Sequence, residues 1–419
     1  MGSPEENPAA ALPDRVEVLV VGAGPAGSAA AAWAARAGRE VLLLDAAVFP
    51  RDKTCGDGLT PRATAELEHL GLGEWARSHT VNRGLRMAGF GREVELPWPG
   101  GGFPKYGSAV PRIELDDKLR RTAETSGARV IDGAKVVDIT KEGDRVASVT
   151  VRTAESTHTV ACRILVVADG VRSPIGKMLG RTWHRRFAYG TAARAYMKSA
   201  RSDDQWITSH LELRNPQGEL VPGYGWIFPL GNGEVNIGVG SLATERRPAH
   251  VALKPLLEHY VESRRPEWGL EGEPRAVASA LLPMGGAVSN VAGRNWALVG
   301  DAAGCVNPLN GEGIDYGLEG GHLLADLLDE PNLTAVWPRL LRARYGRTFS
   351  MARRLAGLAT HPRTVPLGGP PVMRSKVLQR TAVRVMGNLV TDEDVDFVAR
   401  AWRTAGRASM RIDGLPPFA

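Results

Sequence analysis

Glycines and acidic residues at regular spacings in this chain have the chemistry needed to hold a dinucleotide. The first group is Gly22-Ala23-Gly24-Pro25-Ala26-Gly27, which follows an apolar run at residues 16–21 and precedes Asp45. Gly22 permits a tight turn, Gly24 lets the backbone approach a pyrophosphate, and Gly27 lets a helix pack closely on a strand. The N–H groups at the start of that helix would face the phosphates, and Asp45 would hold a ribose hydroxyl.

Two further groups decide which dinucleotide is bound. Asp169-Gly170 follows the apolar run 164–167, where a turn would place an acid beside the pyrophosphate. Gly300-Asp301 follows the apolar run 296–299, and Asp301 can accept a hydrogen bond from a sugar-alcohol hydroxyl. Residues 308–314 then open a helix whose N-terminus would put positive potential near N1 and the C2 carbonyl of a reduced flavin. Nicotinamide dehydrogenases have no use for this pair, so the three groups together predict FAD.

The elements that must position these residues alternate between buried strands and helices. Residues 16–21 form a continuous β-branched apolar run, which is typical of a parallel strand covered on both faces. Residues 29–35 predict a small-residue helix, so the fold class is α/β with a Rossmann-like FAD-binding domain. Beyond residue 185, apolar runs separated by Gly, Asn, Asp and Pro turns indicate an inserted antiparallel sheet.

The predicted domains are therefore built from separated pieces of chain. A disordered tail at 1–14 precedes an FAD-binding domain composed of 15–90, 108–184 and 285–330. An antiparallel-sheet substrate domain takes 91–107 and 185–284. Residues 331–419 form a helical, basic C-terminal region with a break at 361–371, where glycines and prolines cluster. A strand is also expected at 129–137.

The composition disfavours several classes of protein. A chain of 419 residues can bury a large core and is expected to hold two joined domains. Three widely spaced cysteines, Cys55, Cys162 and Cys305, argue against a disulfide framework, and the absence of metal-ligand spacing predicts no metal. Residues 1–15 lack the pattern of a signal peptide, and no apolar run approaches the ~20 residues needed to cross a bilayer.

The net charge of +6 is unevenly distributed. Residues 331–419 contain 15 Lys/Arg and 5 Asp/Glu, whereas residues 1–330 contain 37 and 41. One interpretation is a solvated helical face. The other is an anionic membrane surface, where each nearby base contributes about 1 kcal/mol. Nucleic acid is disfavoured because no recognition motif accompanies the charge. The basic, amphipathic segment 374–389 leads us to expect peripheral association with the cytoplasmic face of the cell membrane.

The three motifs also resemble the FAD-binding set of the p-hydroxybenzoate hydroxylase-like flavoproteins. Within that group, Phe49-Pro50-Arg51-Asp52-Lys53-Thr54-Cys55-Gly56-Asp57-Gly58 resembles the geranylgeranyl reductase family, as do Tyr224-Gly225-Trp226-Ile227-Phe228-Pro229 and residues 235–240. The resemblance covers essentially the whole chain and extends to the family's branch of bacterial menaquinone reductases. It implies FAD-dependent saturation of one isoprene double bond in a polyprenyl chain such as the menaquinone tail, by hydride transfer from flavin N5. The electron donor it implies is NAD(P)H or a carrier protein.

The resemblance implies individual residue roles as well. Arg112 matches an arginine that contacts FAD, and Cys55 lies in a Cys-Gly loop near the flavin ring. Tyr224 and Trp226 would line the substrate cavity, sharing one face of a strand beside the ring. These three residues, Cys55, Tyr224 and Trp226, are the catalytic candidates, with Cys55 either the proton donor or a small apolar plug. The residues assigned to the cofactor are Gly22, Gly24, Pro25, Ala26, Gly27, Asp45, Arg51, Cys55, Gly56, Asp57, Gly58, Arg112, Val136, Asp169, Gly170, Gly300, Asp301, Pro308, Gly311, Gly313 and Ile314.

Two other functions fit the same scaffold. An FAD-dependent monooxygenase or hydroxylase acting on an aromatic or polyketide substrate would pass the electrons of the reduced flavin to oxygen. A non-catalytic prenyl-lipid-binding protein would share the architecture. Such a carrier would not need the complete FAD site that Asp45 and Gly300-Asp301 indicate.

Overall fold

A computed structural model describes residues 12–249 and 251–419. Residues 1–11 of the tail that we expect to be disordered lie outside the described residues. Residues 12–14 lead into the first strand, and the Asp14 carbonyl accepts a hydrogen bond from the Ala161 N–H at 2.8 Å.

The described elements alternate in the order expected for an α/β protein with an inserted sheet. The strands are β1 (Arg15–Val21), β2 (Val41–Leu44), β3 (Gly58–Leu59), β4 (Thr80–Asn82), β5 (Gly84–Gly89), β6 (Arg92–Pro97), β7 (Gly107–Ala109), β8 (Arg129–Ile131), β9 (Lys135–Glu142), β10 (Arg145–Arg152), β11 (Thr157–Val167), β12 (Thr182–Trp183), β13 (Tyr189–Ser199), β14 (Trp206–His210), β15 (Gly223–Pro229), β16 (Glu234–Ala243), β17 (Leu270–Leu282), β18 (Val288–Ser289), β19 (Ala292–Gly293) and β20 (Trp296–Leu298). The helices are α1 (Pro25–Arg36), α2 (Pro61–His69), α3 (Gly73–Arg77), α4 (Arg112–Thr125), α5 (Pro174–Met178), α6 (Leu253–Trp268), α7 (Ile314–Ala325), α8 (Leu333–Leu341), α9 (Arg347–Ala359), α10 (Thr364–Arg374), α11 (Lys376–Met386) and α12 (Phe397–Arg411).

The first sheet carries the nucleotide-binding pattern. Its strands run in the order β19-β20-β11-β1-β2-β8, with β9 and β10 continuing from β11 as an antiparallel meander. The central strands β20, β11, β1, β2 and β8 are parallel. Val18, Leu19 and Val20 of β1 are fully buried because helices and the meander cover the sheet. This arrangement confirms the predicted α/β fold class.

The second sheet is the predicted antiparallel layer. Its order is β17-β13-β16-β15-β14-β5-β6, and β14 with β5 is its one parallel pair among the described strands. Helix α6 covers one face with Leu256, Leu257, Tyr260 and Val261, which join a core cluster separate from that of the first sheet. Strand β15 lies between β16, with which it pairs along its whole length, and β14. Both of its edges are therefore occupied.

Three segments differ from the sequence-based expectation. Strand β5 (Gly84–Gly89) pairs within the antiparallel sheet, although the boundary predicted at residue 90 places it in the FAD-binding domain. The strand expected at 129–137 is two strands, β8 and β9, because the chain turns at Asp132-Gly133 and changes partners. Helix α10 occupies the break expected at 361–371. Its Gly369 packs against the Phe90 ring, whose atoms would lie 2.1 Å from a Cβ there, so tertiary contact offsets the weak helix propensity.

The C-terminal region is helical, as expected, with a π-helical turn at Arg342–Gly346 joining α8 to α9. Phe418 is fully buried, and its N–H donates to the Gly286 carbonyl at 2.9 Å. Among the described residues, none of the helices combines the length and hydropathy needed to cross a bilayer. All three cysteines are unpaired.

Candidate active site

The glycine motif forms the turn between β1 and α1, and its backbone accepts only glycine at two positions. Gly22 has a φ of +103°, and a Cβ there would lie 2.3 Å from the Ala168 carbonyl oxygen. A Cβ on Gly27 would lie 1.8 Å from the Gly22 carbonyl oxygen. At Gly24 the nearest atom to a Cβ would be Arg51 Nη2, at 3.7 Å. The side above Gly24 is therefore the one a pyrophosphate can approach.

Charged side chains converge beside this turn. The Asp45 carboxylate accepts a hydrogen bond from the Ala23 N–H at 2.7 Å, and Arg51 Nη2 lies 3.6 Å from the same carboxylate. Arg51 Nη1 donates to the buried Asp116 at 2.9 Å, and Arg112 donates two bonds to Asp116 at 2.6 and 2.7 Å. The structure thus brings Asp45, Arg51 and Arg112 together at the adenosine end of the predicted site.

Val136 lies near that end but is less directly connected. It is a buried residue at the start of β9, two positions after Ala134, whose N–H donates to the Asp45 carbonyl at 2.8 Å. Pro25 and Ala26 are the first two residues of α1.

Lys53 connects the second and third motifs. Its Nζ lies 3.4 Å from Asp301 Oδ2 and 3.8 Å from the position of a Cβ on Gly170. The Asp169 carboxylate accepts bonds from the Ser173 hydroxyl and from the first turn of α5, so it also caps its own turn. The middle of the site therefore carries a lysine between an Asp-Gly turn and the Asp301 carboxylate.

The turn at 308–314 leads into α7, as predicted, and its backbone is tightly held. Gly311 has a φ of +77°, and the Tyr224 hydroxyl donates a hydrogen bond to the Asn310 carbonyl. Gly313 precedes α7, and a Cβ there would lie 3.5 Å from Asp301 Oδ1. Tyr224 is thus in direct contact with the turn at 308–314, which we call the flavin turn.

A carboxyl group lies at the start of α7, a feature that the sequence pattern did not predict. Glu312 accepts hydrogen bonds from the Thr60 hydroxyl and from Asn310 Nδ2. Burial raises the pKa of the Glu312 carboxyl well above its usual range. Burial therefore favours the uncharged form of this carboxyl, which opposes the positive potential of the helix N-terminus less than a carboxylate does.

An aromatic row faces this turn from β15. Tyr224, Trp226 and Phe228 lie on one face of the strand, as the two-residue period predicts, with neighbouring ring centroids 6.1 and 6.3 Å apart. The Cys55 loop packs on the row: a Cβ on Gly56 would lie 3.1 Å from Phe228 and 3.2 Å from Trp226 Nε1. Tyr224 therefore borders the flavin turn, and Trp226 borders the loop that carries Cys55.

A fully buried amide holds the loop and the row together. Asn236 on β16 accepts a bond from Trp226 Nε1 at 2.9 Å and donates to the Cys55 carbonyl at 2.9 Å and to Asp57 Oδ2 at 2.8 Å. Asp57 also accepts a bond from the Tyr196 hydroxyl at 2.7 Å. The predicted cofactor residue Asp57 thus directs its side chain into a buried polar network beside the site.

Burial governs the protonation of this region. It raises the pKa of the Asp57 carboxyl to about 6, although bonds from Tyr196 and Asn236 act in the opposite direction. Burial also raises the pKa of the Cys55 thiol, against the lowering effect of the Arg112 charge, so this thiol keeps its proton at neutral pH.

Comparison with known proteins decides the family. The model of the FAD binding domain family matches residues 15–342. Menaquinone reductase of Mycobacterium tuberculosis H37Rv is 64% identical over 406 residues, covering 97% of this chain and 99% of the relative. Digeranylgeranylglycerophospholipid reductase 2 of Methanopyrus kandleri is 32% identical over 363 residues, covering 80% and 84%. The chain belongs to the geranylgeranyl reductase family of FAD-dependent oxidoreductases.

A solved structure agrees with this family's fold. A geranylgeranyl bacteriochlorophyll reductase-like protein of Thermoplasma acidophilum has a TM-score of 0.76 to this chain, at 23% identity, covering 94% of this chain and 99% of the other. The prediction of an FAD-dependent oxidoreductase is confirmed, and the hydroxylase and carrier alternatives are not favoured. FAD also fits the residues present, since the open side of Gly24, the helix N-termini of α1 and α7, and the Asp45 and Asp301 carboxylates match its phosphates and hydroxyls.

Two residues of the buried network beside the site, Asn236 and Tyr196, are not indicated by the sequence motifs. A signal for Asn236 exists in the sequence: it is a single amide in the otherwise apolar and glycine-containing run 235–240. Gly238 is a second signal, because it pairs with Trp226 and a Cβ there would lie 2.1 Å from the indole ring. Both residues serve to seat Trp226. Tyr196 carries no comparable signal, because its partner Asp57 is 139 positions away in the chain.

Proposed function

We propose that this flavoprotein reduces one isoprene double bond in the polyprenyl side chain of menaquinone. The hydrogen bond from the Tyr224 hydroxyl to the Asn310 carbonyl carries the proposal, because it holds the aromatic row of β15 against the turn at 308–314. The 64% identity to a menaquinone reductase, over 97% of this chain, supports menaquinone as the substrate.

Bound FAD, in its reduced form, supplies the hydride. The residues of the chain supply what an unactivated alkene needs in addition, which is a dry slot and a proton. Trp226 is 6% exposed, and with the partly buried Tyr224 and Phe228 it forms an aromatic wall for such a slot. Cys55, whose thiol stays protonated, holds a proton at Sγ beside that wall.

Anaerobic turnover tests the reaction. FAD-loaded protein is reduced with dithionite and mixed with menaquinone, and the tail fragment of the product is weighed by mass spectrometry. We expect a gain of two hydrogens in the tail, and none in the control reaction with a menaquinone whose tail is already saturated. A product that forms only after oxygen is admitted would contradict the proposal and indicate a monooxygenase.

We further propose that electrons reach the flavin from NAD(P)H or from a carrier protein. Anaerobic bleaching of the flavin absorbance by NADH or NADPH alone distinguishes the two donors. Bleaching by a nucleotide identifies the first, whereas bleaching that requires an added reduced ferredoxin-type protein identifies the second.

Peripheral membrane association is the last part of the proposal, and exposed apolar side chains of the C-terminal helices support it. Val377 on α11 is 72% exposed, Leu367 on α10 is 74% exposed, and Phe397 on α12 is 85% exposed. Arg374, Lys376 and Arg380 are exposed next to Val377 in the sequence. Bases beside apolar groups suit the interface of an anionic bilayer, here the cytoplasmic face of the cell membrane.

Vesicle co-sedimentation tests this association. Wild-type protein is expected to pellet with phosphatidylglycerol vesicles and to remain in solution with phosphatidylcholine vesicles. Val377→Ser/Leu378→Ser should weaken the binding, whereas Ile113→Ser/Val277→Ser, a control at exposed sites elsewhere, should not. Equal binding to both kinds of vesicle would contradict an electrostatic docking surface.

A further inference from the structure

An arginine-lined cavity lies away from the aromatic row, where the start of β13, the end of β16 and helix α9 meet. Its volume is about 400 Å³. Arg186, Arg246, Arg247, Arg353 and Arg354 line it, and Asp413 is the one acid among its lining residues. This "arginine cavity" therefore has a large excess of positive charge.

Arg353 is the buried base of the cavity. It is 4% exposed, and its guanidinium carbon lies 4.2 Å from the centre of the Phe187 ring. Nη2 donates to the Leu415 carbonyl at 3.3 Å, but Nε and Nη1 are buried and have no hydrogen-bond partner among the described residues. Burial lowers the pKa of Arg353 to about 10, so it is still charged at neutral pH. Leaving such donors unpaired is costly, which indicates that they await an acceptor.

The acid in the cavity leaves Nε and Nη1 of Arg353 unpaired, because its carboxylate bonds to other groups and approaches only Nη2 of this arginine. Asp413 Oδ1 accepts a bond from Arg354 at 2.7 Å and Oδ2 accepts one from the Ser350 hydroxyl at 2.6 Å. Arg353 Nη2 is left 3.6 Å from Oδ2. Arg246 and Arg186 are exposed at the rim, and neither forms a hydrogen bond or ion pair with the described residues. The guanidinium groups of Arg353, Arg186 and Arg246 thus have N–H donors that no described residue accepts.

The size and chemistry of the cavity identify a ligand class. Planar guanidinium groups match the oxygens of a phosphate in paired hydrogen bonds. A volume of about 400 Å³ is larger than a phosphate alone and falls in the range of organic ligand sites. We propose that the arginine cavity binds the phosphate of a phosphate ester, with Arg353 at its base and Arg186 and Arg246 at its rim.

Two sources of such an ester suit the position of the cavity. Arg353 Cγ and Pro308 Cγ would lie 2.5 and 2.9 Å from a Cβ on Gly285, so the cavity is close to the turn at 308–314, and one source is a phosphorylated nicotinamide nucleotide that extends from the cavity toward the flavin. Leu358, 59% exposed, follows the lining residue Gly357, so a phospholipid headgroup at a membrane surface could also reach it. The shared chemistry is the phosphate ester.

Calorimetric titration of the FAD-loaded full chain tests the site, with the cofactor filling the adenosine end. The probes are 2′,5′-ADP and dihexanoyl phosphatidic acid. We expect saturable binding of at least one probe, weakened about tenfold or more in Arg186→Gln/Arg246→Gln, because hydrogen bonds to charged groups are lost. Arg92→Gln/Lys141→Gln, which removes the same charge from exposed sites elsewhere, should bind as the wild type does.

Each outcome has a clear meaning. Preference for 2′,5′-ADP supports the site with a nucleotide as the source, and preference for the phosphatidic acid supports it with a lipid as the source. Absence of saturable binding of both probes, or equal weakening in the two double variants, would overturn the proposal. Dithionite-driven reduction of the prenyl tail does not use this cavity, so that activity reports separately on the proposed function.

Discussion

At the scale of single residues, the Asn236 side chain affects both the stability of the fold and the placement of Trp226. Its amide satisfies Trp226 Nε1, the Cys55 carbonyl and the Asp57 carboxylate in a fully buried location. Asn236→Leu keeps the volume but leaves Trp226 Nε1 and the Cys55 carbonyl unpaired, whereas Asp57 retains its bond from the Tyr196 hydroxyl. Unfolding in urea should show a loss of about 2–6 kcal/mol, since each of the two buried unpaired groups costs about 1–3 kcal/mol. Gln217→Leu, at an exposed turn, is the control and should be nearly neutral.

A second readout separates positioning from stability. If Asn236 seats Trp226, the conservative variant Asn236→Gln should retain FAD and yet turn over menaquinone slowly. Slow turnover with normal flavin content supports the positioning role. Full turnover in a well-folded Asn236→Gln protein would show that the amide serves stability alone.

Cys55 is the residue whose substitution addresses the proton. Because burial keeps its thiol protonated, a donor role predicts that Cys55→Ala lowers the single-turnover rate of tail reduction by about 10² or more. The rate at which dithionite reduces the flavin should be unchanged. Tail reduction at the wild-type rate would instead assign Cys55 as a small apolar plug, the other role that the sequence left open.

Asp57 makes stability depend on pH. The carboxyl of an unfolded Asp titrates near 4, whereas burial raises the pKa of Asp57 to about 6 in the folded chain. The folded state therefore holds this proton more tightly. Its contribution to stability is complete below the unfolded pKa and is lost as the pH rises through the folded pKa, about 3 kcal/mol in all.

Asp57→Asn removes this titration. The free energy of unfolding of the variant minus that of the wild type should therefore increase by about 2 kcal/mol between pH 4 and pH 7, because the wild type loses stability over this range and the variant does not. Urea unfolding at the two pH values measures it, and titrations elsewhere in the chain cancel in the difference. A wild-type-to-variant difference that stays constant across this range would contradict the raised pKa.

At the scale of elements, the turn from β1 to α1 distinguishes a folding glycine from a binding glycine. A Cβ on Gly27 would lie 1.8 Å from the Gly22 carbonyl oxygen, so Gly27→Ala should destabilise the chain by about 1–3 kcal/mol. A Cβ on Gly24 would meet Arg51 only at 3.7 Å. Gly24→Ala should therefore keep its thermal stability as apoprotein but lose most of its bound flavin, measured by absorbance after purification. Equal loss of stability in both variants would contradict the distinction.

The elements that could be predicted from sequence are those determined by nearby residues. The strand β1, the glycine turn and α1 form one continuous stretch, so composition and spacing sufficed for them. The domain boundary predicted at residue 90 separates strand β5 from its neighbour β6, because the pairing with β14 that joins both to the antiparallel sheet lies more than 100 residues away and no local pattern records it. Helix α10 was missed because Gly369 gains its contact from Phe90, which is equally remote in sequence.

The same physical limit applies to the site. Gly22, Gly24, Gly27 and Gly300 were identifiable because the backbone geometry that requires glycine is determined within a single turn. The network around Asn236 was not, since its bond to the Cys55 carbonyl crosses 181 positions of chain. Buried polar networks are determined by which strands pair, and that information appears only with the fold.

At the scale of the whole molecule, helix α11 of the C-terminal region both packs on the antiparallel sheet and exposes apolar side chains to solvent. The cluster of Trp98, Ile207, Val383 and Leu389 packs α11 and the segment after it onto the antiparallel sheet, with Phe228 at its edge. The same helix exposes Val377 to solvent. One face of α11 therefore covers the sheet that carries the aromatic row, and another is exposed to solvent. Under the membrane association proposed above, a polyprenyl tail would pass from the bilayer along α11 to the aromatic row.

The cofactor, finally, should stabilise the molecule as a whole. Its predicted contacts come from residues 22–58, 112, 136, 169–170 and 300–314, so bound FAD crosslinks parts of the chain that are far apart in sequence. A ligand that binds only the folded state stabilises it by about 2.7 kcal/mol at roughly 100 times its dissociation constant. Titrating FAD into apoprotein should thus raise the melting temperature, and FMN, which lacks the adenosine half, should raise it less. Gly24→Ala should abolish the shift with FAD. An FMN shift as large as that of FAD would contradict the role of the glycine turn, because FMN cannot reach it.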